Sequence, residues 1–254
     1  MNNEKQLQHK RALITGGNGG LGLGMARALK EAGAQVMIWG RDEAKLEKAD
    51  EEGFMTAKVD LNSQQAIAEG FKQLVHEFSG LDILINNAGI YEDQQITTLS
   101  REAWDRFLSN NLTSVFLCSQ QAARLMKMKK QGKIINLGSM YSLFGHPHSI
   151  GYTTTKTAIL GLTRALAAEL GPWNIQVNAI LPGWFETAIN GSLPQSERGE
   201  EIKKRTPLGR WGQSPDIGPL AVFLSSSGSD FITGTAIPID GGYSISDRAM
   251  GIEE

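Results

Sequence analysis

Seven short apolar runs, at 12–15, 35–39, 55–59, 82–85, 133–137, 175–180 and 236–239, recur along the chain with longer segments between them. Most are continuous, without polar alternation. Continuous runs of that length suit strands buried on both faces, the condition of a parallel sheet. The intervening segments 21–31, 42–51, 63–78, 101–130 and 152–170 read as helices. In the last, Ile159, Leu162, Leu166 and Leu170 recur at helical spacing, and Gly171-Pro172 ends it. Strands alternating with helices imply βαβ units with right-handed crossovers. The expected fold class is α/β, a doubly wound seven-stranded parallel sheet with helices on both faces. The least regular region, 183–212, follows a strand end and reads as a lid or binding loop.

Bulk properties narrow the function. A chain of 254 residues can build one sizeable core. A net charge of −2 gives no reason to expect nucleic acid or an anionic membrane as partner. The N-terminus M-N-N-E-K-Q-L-Q-H-K lacks the apolar core of a signal peptide. No uncharged apolar run reaches the roughly 18 residues of a membrane span. A cytoplasmic enzyme is expected, with no metal site. Cys118 is the sole cysteine, which excludes an internal disulfide, and its apolar setting V-F-L-C-S reads as a small buried hydrophobe.

The first run passes directly into T-G-G-N-G-G-L-G, Thr15 to Gly22, and then a helix. Glycines there let backbone N–H groups approach a pyrophosphate, and the helix N-terminus adds partial positive charge. Gly16, Gly20 and Gly22 are spaced G-x-x-x-G-x-G, with Asn18, Gly19 and Leu21 between them. With Thr15 in front, that form resembles the short-chain dehydrogenase/reductase family. The resemblance implies a single-domain Rossmann fold, with 1–254 forming one dinucleotide-binding and catalytic domain.

The chemistry-bearing residues lie further on. Tyr152 and Lys156 are four positions apart in an expected helix, so phenol and ammonium share one face. A free tyrosine has a pKa of about 10, too high for efficient proton transfer near neutrality. A neighbouring Lys⁺ favours the phenolate and should lower it. Ser139 follows the strand K-I-I-N-L, where a hydroxyl can hold a substrate oxygen. Asn111 sits inside the expected helix 101–130, an unfavourable place for asparagine.

The resemblance extends from about Lys10 to Tyr243 and assigns roles. It implies a catalytic set of Asn111, Ser139, Tyr152 and Lys156. Tyr152 is then the acid/base, Lys156 lowers its pKa and holds the nicotinamide ribose, and Asn111, rather than Asn110, bends its helix. Asp60-Leu61 would meet the adenine, and Asn87-Ala88-Gly89, after Asn86, the adenosine ribose. Pro182-Gly183, Phe185 and Thr187 would lie at the nicotinamide end. The family is usually tetrameric, pairing segments 101–130 and 152–170. Ala122, Ala123, Ala165, Ala167 and Ala168 would permit that contact, or could face the chain's own sheet.

Cofactor choice turns on the end of the second strand. An acidic residue there would accept the ribose 2′-OH and repel a 2′-phosphate. The position is Gly40, followed by Arg41, which can pair with a phosphate. NADP(H) is favoured and NAD(H) remains possible. Asp42 reads as a helix cap.

The substrate is a small-molecule carbonyl or alcohol, walled by 90–92, 140–148 and 184–193. Ser139, Tyr141, His146 and Trp184 are its candidate contacts. Runs I-N-L-G-S-M and P-L-G-R-W-G resemble those of the family's sugar-acid dehydrogenases, such as the gluconate and deoxygluconate enzymes. A 3-oxoacyl-carrier-protein reductase, or a broad carbonyl reductase, is the alternative. Arg198, Lys203, Lys204 and Arg205 could meet an acidic carrier protein. A non-catalytic dinucleotide sensor is the reading from another class.

Overall fold

The computed structural model describes residues 5–247. Its strands are β1 (Arg11–Thr15), β2 (Gln35–Gly40), β3 (Met55–Lys58), β4 (Ile83–Asn86), β5 (Gly132–Leu137), β6 (Ile175–Pro182) and β7 (Ala236–Ile239). The helices are α1 (Gly20–Glu31), α2 (Glu43–Glu51), α3 (Gln64–Phe78), α4 (Arg101–Leu108), α5 (Ser114–Lys129), α6 (Ile150–Leu170), α7 (Glu197–Arg205) and α8 (Ser214–Ser225). All strand pairs are parallel, in the order β3-β2-β1-β4-β5-β6-β7. This is the doubly wound Rossmann sheet expected from the apolar runs.

Register explains why those runs are continuous. Met37, Leu13, Leu84, Ile134 and Val177 are paired neighbours in one row across β2, β1, β4, β5 and β6. They pack under α3 and α5, where Cys118 is buried and its thiol pushed up to about 12 by burial. Ile38, Ile14, Ile85 and Ile135 form the adjoining row on the opposite face, against α1 and α8. With both faces covered, odd and even positions must both be apolar.

The small residues of α1 and α8 set how closely those helices cross. A Cβ on Gly24 would lie 2.3 Å from the Ser214 carbonyl oxygen, and one on Gly218 would lie 2.6 Å from Ala28 Cβ. Gly24→Ala should therefore destabilise the fold by about 1–3 kcal/mol. A chemical-denaturation midpoint unchanged from wild type would contradict this packing argument.

Two expectations need correction, and one helix was not expected. The segment 101–130 is not one helix, because a π-helical stretch, Ser109–Thr113, joins α4 to α5. The region 183–212 is not irregular throughout, because it contains α7 and a 3₁₀ turn at Leu193–Gln195. Helix α8 has no expected counterpart. Among the alanines, Ala122, Ala123 and Ala167 are buried in the chain's own core, whereas Ala165 and Ala168 face outward. No described helix is long and apolar enough to cross a membrane. No described cluster of His, Cys, Asp or Glu could hold a metal ion.

Candidate active site

Strands β1 and β4 are neighbours although β2 and β3 intervene in sequence, so the connections leave in opposite directions at their carboxyl ends. A crevice opens at such a switch point. Here a cleft of about 660 Å³ is lined by the glycine turn at one end and by Ser139, Tyr152 and Lys156 at the other.

The turn is held from β4. Thr15 Oγ1 accepts hydrogen bonds from the backbone N–H groups of Asn87 (3.1 Å) and Ala88 (3.2 Å). Asn87 Nδ2 donates to the carbonyls of Thr15 (3.0 Å) and Gly16 (2.9 Å). The Asn87 side chain is thus spent on shaping the turn. Gly16 and Gly20 take positive φ, +62° and +51°. A Cβ on Gly22 would lie 2.3 Å from the Gly16 oxygen, so Gly22 packs behind the turn and does not line the cleft.

The opening of α1 fits a phosphate. Its N-cap, Gly19, supplies no side-chain hydrogen bond, and its first turn holds no acidic residue. A Cβ on Gly19 would meet nothing within 4 Å. Uncapped N–H donors therefore face open space at the positive end of the helix. All the other expected cofactor residues also line the cleft.

Next to this turn, Gly40 faces Asn18: a Cβ there would lie 2.5 Å from Asn18 Nδ2, the far end of a flexible side chain that could move aside. Arg41 is exposed and has no acidic partner among the described residues. Asp42 caps α2 as expected, accepting from the Lys45 N–H at 3.1 Å. Lys45 also lines the cleft, with its ammonium 3.5 Å from the Asp42 carboxylate. This second basic group was not anticipated, because one helical turn separates it from Arg41. Asp60 accepts from the Asn62 N–H at 3.1 Å, ordering its own loop.

At the other end, a short relay of hydrogen bonds holds Ser139 and Lys156 together. Ser139 N–H donates to Ser142 Oγ (3.2 Å), which donates to the Lys156 carbonyl (2.7 Å). The loop after β5 is thereby tied to α6; Ser142 was not anticipated, since its partner is distant in sequence. Lys156 Nζ donates to the Leu137 carbonyl at 2.7 Å and lies 5.8 Å from the Tyr152 ring centroid. Asn111 does not line the cleft. Its Oδ1 accepts from Ile90 N–H (2.8 Å) and its Nδ2 donates to the Ile90 carbonyl (3.0 Å). The π-helical stretch turns this side chain inward, where it holds the β4 loop. Gly89 then sits close to both groups: a Cβ on it would lie 3.1 Å from Asn111 Oδ1 and 3.5 Å from Lys156 Nζ.

Burial sets the titration of this site. It pushes the Tyr152 phenol above its ordinary range, while the Ser139 hydroxyl acts in the opposite direction. It lowers Lys156 from 10.5 to about 8. Desolvation therefore outweighs the lowering of Tyr152 that the neighbouring lysine was expected to produce.

Aromatic side chains wall the reactive end. Tyr91 meets the Tyr152 ring edge-on at 5.0 Å, and Tyr141 does so at 6.1 Å. Tyr141 and Trp184 line the cleft; His146 does not, and stacks on Tyr141 at 4.8 Å from outside. The 183–212 segment leaves and returns at one point, where Phe185 bridges Gly212. Within it, Trp211 Nε1 donates to the Gly199 carbonyl at 3.1 Å. Thr187 projects toward the glycine turn, 3.6 Å from where a Gly20 Cβ would stand.

Comparisons with known proteins place the chain by family and fold. A family model described as enoyl-(acyl carrier protein) reductase matches residues 16–244. The chain is 38% identical over 247 residues to gluconate 5-dehydrogenase of Gluconobacter oxydans, covering 94% of this chain and 96% of that one. It is 40% identical over 243 residues to 2-dehydro-3-deoxy-D-gluconate 5-dehydrogenase of Bacillus subtilis, covering 93% and 95%. A crystal structure of a gluconate 5-dehydrogenase from Burkholderia cenocepacia, in complex with NADP and tartrate, superposes with a TM-score of 0.90. That pair is 35% identical and covers 96% of this chain and 98% of the other.

Proposed function

The chain belongs to the short-chain dehydrogenase/reductase family of NAD(P)-binding oxidoreductases, and on that premise we propose that it interconverts a ketone and a secondary alcohol of a sugar acid with NADP(H). One observation carries the reaction type. Ser139, Tyr152 and Lys156 converge on the same cleft that the uncapped glycine turn opens into. When bound, the nicotinamide dinucleotide supplies or accepts the hydride.

In reduction, Ser139 Oγ donates to the substrate carbonyl oxygen and holds it beside Tyr152. Tyr152 then gives that oxygen its proton. The raised pKa suits this direction, because the phenol is fully protonated at neutral pH. In oxidation, Tyr152 must first lose its proton, so the alcohol-oxidising rate rises with pH. Lys156, charged below about 8, stabilises the phenolate formed after proton transfer and holds the cofactor ribose. Asn111 and Ser142 position these groups without touching the reacting atoms.

The sugar-acid class rests on the named activities of the relatives. Purified protein should consume NADPH with an oxo sugar acid at a higher kcat/KM than with an aryl ketone or a 3-oxoacyl thioester. Preference for the thioester would overturn the substrate class and leave the reaction type standing.

Arg41 and Lys45 carry the cofactor preference, since both line the end of the cleft beside Gly40. Arg41→Ala should lower kcat/KM for NADPH about ten- to a hundredfold and leave that for NADH unchanged. An equal loss with both cofactors would refute a 2′-phosphate role.

A further inference from the structure

Helix α7 holds the basic residues that would have to face an acidic carrier protein, and their partners divide them. Lys203 pairs with Glu200 at 3.4 Å, and the Arg205 guanidinium lies 4.3 Å over the Tyr243 ring. Glu197, Glu200 and Glu201 lie on the same helix, ahead of the basic run Lys203-Lys204-Arg205. The helix surface is thus mixed in sign. Arg198 differs from the others. It reaches back across the lid and donates from Nη2 to His146 Nε2 at 3.0 Å.

His146 is itself oriented. Its Nδ1 donates to the Pro147 carbonyl at 2.7 Å, and its ring stacks on Tyr141 at 4.8 Å. With Nδ1 donating to the Pro147 carbonyl, Nε2 is free to accept from arginine, so the ring brackets the guanidinium. Arg198 makes no ion pair with any described residue. Asp93, which faces the same Tyr91, is taken up by the Tyr91 hydroxyl (2.5 Å) and by Ser149 Oγ (3.3 Å). A guanidinium has five N–H donors in a planar fork, and only one here has a partner.

Tyr141, and Trp184 which meets its ring edge-on at 6.1 Å, carry unpaired polar atoms. The Tyr141 hydroxyl and Trp184 Nε1 are buried and have no hydrogen-bond partner, although both residues line the cleft. Tyr141 is 4% exposed. Buried donors left unpaired cost free energy, which a ligand rich in hydroxyl groups can recover. Arg198 is exposed and, like His146, stands outside the cleft lining, with the ring of Tyr141 between that pair and the Tyr152 phenol.

We propose that Arg198, bracketed by His146, binds the substrate carboxylate, with Tyr141 Oη and Trp184 Nε1 donating to hydroxyls between that carboxylate and the reacting carbon. This rests on the sugar-acid reading and adds to it the group that recognises the acid.

The test compares gluconate with gluconamide, its neutral amide, on the cofactor-saturated protein, by calorimetric binding and by turnover. Wild type should prefer gluconate. Arg198→Gln should weaken gluconate binding on the order of ten- to a hundredfold, leave gluconamide unchanged and raise KM more than it lowers kcat. Arg198→Lys, which keeps the charge, should recover part of the loss. If R198Q leaves gluconate binding intact while wild type still prefers gluconate, the Arg198 assignment fails and the sugar-acid reading survives. If R198Q weakens both ligands equally, its role is structural and the assignment fails. If wild type does not distinguish the two ligands, both the assignment and the sugar-acid reading fail.

Discussion

Tyr152→Phe lowers kcat and kcat/KM together by about a hundred- to ten-thousandfold, and leaves cofactor affinity unchanged. The substitution removes one oxygen from the wall of the cleft and keeps the ring, with its edge contacts to Tyr91 and Tyr141. The size of the loss is the usual contribution of a positioned acid or base. Equal falls in kcat and kcat/KM mark an interaction made in the transition state only. The burial that raises the phenol's pKa adds a second signature. Wild-type oxidation of alcohol should climb with pH across the alkaline range, and reduction should fall there. Steady-state rates at several pH values, with cofactor affinity measured separately by fluorescence, check both parts. Substantial residual turnover in Y152F would remove Tyr152 from its role.

Lys156→Met should abolish most turnover and yet make the protein more stable at neutral pH. The sign follows from burial. The amine is 5% exposed, and its pKa falls from 10.5 in the free state to about 8 in the fold. Between those values the unfolded chain binds more protons than the folded one. Stability is therefore greatest above pH 10.5, falls as the pH drops toward 8, and is flat below. At neutral pH the charged lysine costs about 3 kcal/mol. Methionine removes that cost but strands the Leu137 carbonyl, which now accepts from Nζ. The net gain should be about 1–2 kcal/mol, or roughly 2–6 °C in Tm. Thermal unfolding without cofactor at neutral pH provides the check. A lower Tm for K156M would mean that the buried charge does not carry the stability cost argued from its lowered pKa.

The strands were legible because a sheet buried on both faces writes itself as continuous apolar runs. The glycine turn was legible because few sequences combine a strand, that glycine spacing and a helix. Helix α7 was hidden because E-R-G-E-E-I-K-K-R offers one apolar residue, Ile202, and so no periodicity. Helix α8 was hidden by Pro215, Gly218 and Pro219, which ordinarily read as breakers. Pro215 is tolerated there because it lies in the first turn. The break at Ser109–Thr113 was foreshadowed only by an asparagine in an unfavourable place.

Within the site, residue identity was easier to read than residue employment. Thr15 and Asn87 stood in recognisable positions, but their use is mutual and spans 72 residues. Ser142 shows the same limit, since its link to the Lys156 carbonyl crosses from one element to another. Sequence spacing correctly brought Tyr152 and Lys156 onto one helix face. It carried no information about depth, and depth decides that burial dominates both pKa values.

If this cleft moves a hydride while Tyr152 moves a proton, reaction with NADPH deuterated at the transferable position should leave deuterium on the new carbinol carbon of the alcohol formed from the best oxo sugar acid, read by mass analysis. Y152F should give no labelled product above background. Cofactor binding without labelled alcohol from any carbonyl compound tried would rule out hydride transfer, and would leave the cleft as a dinucleotide sensor.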